Sequence, residues 1–174
     1  MEKKEKNFAD YFKTITNRLP RWNELPEIDL YMDQVIALME KYLPYNEKIL
    51  TSSMINNYVK LGIMPAPIKK KYSRTHIAYL IIICCLKQVI PISDIQKLIE
   101  MRIANSSIEE TLNFFSDLYD KTFKVVLSIG TKFNSRNPTN STLSEDTALY
   151  MAIGSNISKY VAETVLHVNN KRKK

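Results

Sequence analysis

Asparagine amides match the donor–acceptor edge of adenine, while serine and lysine suit phosphates or several bases. Such residues crowd one stretch of this 174-residue chain: Ser52, Ser53, Asn56, Asn57 and Lys60, then Lys69, Lys70, Lys71, Tyr72 and Arg74. A helix over Ser52–Leu61 turns Met54, Ile55, Val59 and Leu61 inward and Ser52, Ser53, Asn56, Asn57 and Lys60 outward. The chemistry this suits is recognition of double-stranded DNA. Asn56 and Asn57, with Ser52 and Ser53, would read base edges, and Lys60, Lys69, Lys70, Lys71, Tyr72 and Arg74 would hold phosphates. Four to six phosphate contacts imply a log–log salt slope of roughly −4 to −5. The plainer alternative is a Ser- and Asn-rich surface helix beside a solvated lysine loop.

Local signals define the elements that must position these groups. Thr51 is placed to cap the helix, and Gly62 to end it in the left-handed conformation that turns the chain sharply. Pro65 and Pro67 keep the basic segment extended, which suits the arm of a wing hairpin. Ahead of it, Leu30–Leu43 reads as a helix capped by Asp29 and stopped by Pro44. Its apolar stripe is Leu30, Met32, Val35, Ile36, Leu38, Met39 and Leu43. A short amphipathic helix is expected over Asn7–Leu19, then a proline-bounded connector over residues 20–27.

Beyond the basic loop, Ser73 is expected to cap a helix over Arg74–Val89. A capping box of Ser93 and Gln96 would open Asp94–Ile103, and one of Ser107 and Glu110 a long helix to about Phe133. Residues 134–142 read as a loop, and Thr142 with Glu145 would open a last helix to about Asn169. Three glycines and no sustained alternation of apolar and polar residues leave an all-β fold without its turns.

The net charge of +7 is unevenly spread. Residues 24–43 hold five acids against Lys41, whereas residues 44–76 hold six cations against Glu47, and Lys171, Arg172, Lys173 and Lys174 end the chain. The N-terminus lacks the apolar core of a secretory signal, and the longest apolar run, Ile77–Leu86, is half of what a membrane span requires. A cytoplasmic protein is expected, with Cys84 and Cys85 as buried thiols. No metal or cofactor site is expected. Enzyme chemistry is disfavoured: the two histidines lie far apart, and no nucleophile elbow, phosphate loop or HExxH element occurs. Glu109, Glu110, Glu145 and Asp146 fall in first helical turns, where they oppose the dipole.

Residues 50–99 resemble the N-terminal module of MerR-type regulators, a winged helix-turn-helix. The resemblance rests on Tyr58 and Gly62 ending the reading helix, Pro65 and Pro67 in the wing, Tyr72-Ser73 before the next helix, and Ser93-Asp94-Ile95 opening the one after. It implies that Tyr58 and Lys70 touch phosphate and that Gly62 shapes the turn. Asn56-Asn57 stand where those regulators carry an arginine–aromatic pair, and the lysine triplet replaces their Gly-Tyr-Arg wing element. A wider stretch, through Glu24–Asp33, Met54–Tyr58 and Lys69–Ser73, is similar to an uncharacterised bacterial family, domain of unknown function 1836. That likeness implies no activity.

The expected architecture is all-α: residues 1–23 a helix and connector, 24–103 a MerR-like winged helix-turn-helix with a small wing, 104–170 a C-terminal helical hairpin, and 171–174 a basic tail. Leu149, Ile153, Ile157, Tyr160, Val161, Val165 and Val168 form a stripe on the last helix. It serves either an antiparallel homodimer seam or packing on the preceding helix, and its width favours packing. Phe114, Phe115, Tyr119, Phe123 and Phe133 read as core or as a ligand pocket, and His167 as solvated. The function expected is a DNA-binding transcriptional regulator with double-stranded DNA as its partner. The alternative is a helical protein-interaction module that keeps the architecture without binding DNA.

Overall fold

A computed structural model describes residues 18–43, 50–136 and 145–171. Among them lie six α-helices: α1 Met32–Tyr42, α2 Ser52–Lys60, α3 Arg74–Leu86, α4 Ile92–Ile103, α5 Ile108–Arg136 and α6 Glu145–Lys171. A 3-10 turn, Trp22–Glu24, precedes them. No strand occurs among the described residues, only two isolated antiparallel bridges, Leu30 with Tyr72 and Ile68 with Lys71. The expected all-α class holds. The expected helix at residues 7–17, the loop beyond Arg136, the Thr142 cap, the tail beyond Lys171 and the side chains of Phe133 and His167 lie outside the described residues.

The chain divides into two compact units. The first, Asn17–Leu118, is built around α3, where Ile77, Ala78, Leu80, Ile81, Ile82, Ile83 and Cys84 are all buried. A helix that is apolar on every side needs neighbours on every side. Helices α1 and α4 pack against it, and α2 packs against α1. They bury Val35 and Met39, Ile95 and Ile99, and Ile55 and Tyr58 respectively.

This unit is larger than the expected 24–103 module, because the connector before α1 is clamped to the start of α5. The Ser116 hydroxyl, fully buried, donates to the Pro20 carbonyl at 3.0 Å, and the Trp22 backbone N–H donates to Asn113 Oδ1 at 2.9 Å. Arg21 pairs with Asp117 at 2.7 Å. These partners lie more than ninety residues apart, beyond the reach of any local pattern.

Several helix starts differ from expectation for identifiable reasons. Tyr31, not Asp29, precedes α1, and its N–H donates to Gln34 Oε1 at 2.9 Å. Pro91 sits at the start of α4, so Ser93 lies inside its first turn. Helix α3 stops at Leu86, three residues early: the Leu86 carbonyl accepts both the Val89 and the Ile90 N–H, at 2.8 and 3.0 Å, in a tightened turn before Pro91. The Ser107–Glu110 box forms as expected, with bonds of 2.8 and 3.1 Å.

In the second unit the apolar stripe of α6 is open. Leu149, Ile153, Ile157, Tyr160, Val161, Val165 and Val168 are all exposed, which overturns the expectation that the preceding helix covers them. Among the described side chains of α6, Thr147 and Leu166 are buried. The aromatics on α5 do not form a closed core either. Phe114 is half exposed, with the Arg102 guanidinium 4.1 Å from its ring centre, and Phe115, Tyr119 and Phe123 are partly exposed.

Candidate nucleic-acid interface

Helix α2 is fixed at both ends. Thr51 Oγ1 accepts the Met54 N–H at 3.2 Å, as expected of the cap. At the other end Gly62 adopts φ +71°, its N–H bonds the Val59 carbonyl at 3.0 Å, and the Ile63 N–H bonds the Tyr58 carbonyl at 3.0 Å. This is a Schellman motif, and buried Ile63 and Tyr58 supply its apolar contact. A Cβ on Gly62 would meet nothing within 4 Å, so the only obstacle to a side chain is the backbone angle. Gly62→Ala is therefore expected to cost about 1–2 kcal/mol, and Gly62→Asn less, in chemical denaturation.

The two ends set the rotation of the helix. Ile55 and Tyr58 point into the core, and Ser52, Ser53, Asn56, Asn57 and Lys60 are exposed. Leu61, expected inside, is 49% exposed, because the turn that begins at the end of α2 carries it away from the core. Tyr58 takes the inward place. It is 3% exposed, and burial pushes its hydroxyl up to about 12, so it supports the helix from beneath and does not reach a phosphate. Beside the exposed face is an open depression of about 480 Å³, lined by Ser53, Met54, Asn57, Tyr58, Lys87 and Ile92. Lys87 thus joins the face, a residue that sequence spacing does not connect to it.

The basic loop closes as a two-residue hairpin. Ile68 and Lys71 exchange both backbone bonds, at 3.1 and 2.9 Å, across Lys69 and Lys70. These two lysines have φ +49° and +63°, the signs of the type I′ turn that Asn-Gly usually occupies. The left-handed conformation costs an L-residue roughly 1–2 kcal/mol. Both side chains are exposed, and no ion pair among the described residues involves them or Lys60.

The hairpin is anchored to the rest of the unit at three points. Leu30 and Tyr72 exchange backbone bonds of 2.9 and 2.8 Å. The Lys71 ammonium sits 5.3 Å from the centre of the Tyr31 ring. Buried His76, at the third position of α3, accepts the Ser73 backbone N–H on Nδ1 at 2.9 Å. An N–H can only donate, so Nδ1 carries no proton and Nε2–H donates to the Ala66 carbonyl, 3.2 Å away. Ser73 is the capping residue of α3, as expected, and its hydroxyl lies 2.9 Å from the same Nδ1 of His76.

Two of the expected phosphate ligands are structural. Tyr72 is 3% exposed and packs edge-on to His76, with ring centres 5.5 Å apart; burial raises its hydroxyl above the usual phenol range. Arg74 donates to the Leu25 and Pro26 carbonyls at 3.0 and 3.4 Å, lies 3.5 Å from Glu27, and covers the Trp22 ring at 5.6 Å. It ties the acidic connector to α3. That leaves Ser52, Ser53, Asn56, Asn57, Lys60, Lys69 and Lys70 presented to solvent, with Lys71 partly committed to Tyr31.

Among the described residues no group of acidic, histidine and cysteine side chains could hold a metal ion, and no helix is long and apolar enough to cross a membrane. No curated protein and no solved structure matches the chain. Residues 20–122 match a family model described as domain of unknown function DUF1836, nearly the same stretch as the compact unit Asn17–Leu118. That match covers more than half of the sequence, and the chain belongs to the DUF1836 family.

Proposed function

We propose that the unit Asn17–Leu118 reads double-stranded DNA as a MerR-like winged helix-turn-helix, and that the chain is a cytoplasmic transcriptional regulator, not an enzyme. In this reading α1 supports α2, α2 enters the major groove, and the hairpin Ile68–Lys71 is the wing. Asn56 and Asn57, with Ser52 and Ser53, meet base edges, while Lys60, Lys69 and Lys70 hold phosphates.

One observation carries the reading: two consecutive lysines occupy the left-handed positions of a tight hairpin, where glycine or asparagine would be more stable. Strain kept at a tip whose exposed side chains join no ion pair among the described residues points to a use for those side chains. Two adjacent cations on a rigid turn suit a phosphate backbone.

Selection of genomic fragments by the purified full chain, at two salt concentrations, tests it. A reproducible sequence motif is expected, with retention falling at a log–log slope of roughly −3 for the three uncommitted lysines. Retention without a motif, or a flat salt response, counts against it. A protein partner is favoured by a different observation, the 72% exposure of both Ile28 and Ile68 near the hairpin. Under that reading, salt leaves binding largely unchanged.

A further inference from the structure

The open stripe on α6 has a symmetry that identifies what covers it. Leu149, Ile153, Ile157, Tyr160 and Val168 are 45% to 70% exposed, Thr164 lies in line with them, and Val161 and Val165, each 53% exposed, border that line on one side. At about 100° per residue the six positions in line share an arc of roughly 100°, and buried Thr147 and Leu166 lie roughly 100° or more from its centre. The stripe faces away from the side that the chain covers itself.

Its spacing is four, four, three, four, four, an eleven-residue repeat that stays nearly parallel to a helix axis. The series reads the same in both directions. Two copies laid antiparallel about the point between Ser158 and Lys159 place Leu149 against Val168, Ile153 against Thr164 and Ile157 against Tyr160, each pair occurring twice. The same register sets helix position Asp146 of one copy against Lys171 of the other, both on the line of the stripe. Opposed helix dipoles add to this complementarity. A lipid surface fits less well: between its ends α6 holds one cation, Lys159, and that one pairs with Glu163 at 4.0 Å.

We propose that α6 joins two copies of this chain as an antiparallel, two-fold pair through the Leu149–Val168 stripe. The stripe runs about 28 Å along the helix, from Leu149 to Val168. The stripe lies outside the residues that match the family model, so pairing is separable from whatever residues 20–122 do.

Sedimentation equilibrium of the full chain at about 10 µM should give a dimer. Ile157→Asp should weaken association at least roughly tenfold while circular dichroism retains the helix content. Asp146→Lys and Lys171→Asp should each weaken it, and the two together should restore it. Under mild oxidation, Ile153→Cys with Thr164→Cys should cross-link two copies, whereas Ile153→Cys alone, roughly 16 Å along the axis from its counterpart, should not. Cys84 is buried and Cys85 partly exposed, both in the other compact unit, so the unsubstituted chain is the control for cross-linking through them. A monomer under these conditions overturns the proposal, as does a dimer indifferent to Ile157→Asp. So does efficient cross-linking through Ile153→Cys alone, which would mark a parallel pair. A monomer that dimerises only after residues 1–17 are removed would assign the stripe to that segment, and would equally overturn it.

Discussion

Replacing Lys69 and Lys70 together by glutamate is expected to weaken duplex retention roughly 100-fold at about 0.1 M salt, and to flatten the salt slope by about two. Both side chains stand at the tip of the hairpin, exposed and outside any ion pair among the described residues. Fold stability should change little, since the backbone bonds between Ile68 and Lys71 do not depend on these side chains. A partner held by apolar contact would tolerate the change, so the same variant separates the two functional readings.

A second variant at the same positions sharpens the test. Lys69→Asn with Lys70→Gly suits the left-handed turn better and should raise the unfolding free energy by about 1 kcal/mol. It also removes two cations, so retention on DNA should fall while stability rises. Opposite movements of stability and binding are what a strained functional tip produces. If binding survives and only stability rises, the lysines are incidental and the DNA reading loses its main support.

Much of the helical skeleton is legible in the sequence because its signals are local. Thr51, Gly62 and the Ser107–Glu110 box act within three or four residues of themselves, and each forms as its spacing predicts. Pairing over long separations is not legible in this way. Ser116 meets Pro20, Asn113 meets Trp22, and Arg74 meets the carbonyls of Leu25 and Pro26. Those bonds decide where the compact unit ends and which cations remain for a ligand.

The candidate face was half visible for the same reason. The exposed positions of α2 follow from helical periodicity once its ends are fixed. Tyr58 and Tyr72 look like surface hydroxyls in sequence, yet each fills a core position. A tyrosine carries enough apolar area to be drawn inside, and nothing in its neighbours' identities marks which will be. The left-handed lysines had no sequence signal either, because Lys-Lys is not a turn dipeptide of the primed type.

His76→Leu is expected to destabilise the unit by about 1–3 kcal/mol in denaturant titration. The imidazole connects two backbone groups on either side of the hairpin, accepting from the Ser73 N–H and donating to the Ala66 carbonyl. Leucine would leave both without their partner; the two bonds are part-buried and Ala66 is exposed, so each loss costs about 0.5–1.5 kcal/mol. The edge contact with Tyr72 is lost as well. His76→Gln divides the effect: an amide at the third helical position can still accept from the capping residue's N–H, as in a capping box, but is too flexible to hold Ala66. It should therefore restore about half of the lost stability. If the hairpin must be rigid to present Lys69 and Lys70, both variants should also weaken duplex binding without altering any lysine. A loss below about 0.5 kcal/mol in His76→Leu would mean that water or another group replaces the imidazole, and that the hairpin is anchored by Leu30 and Tyr72 alone.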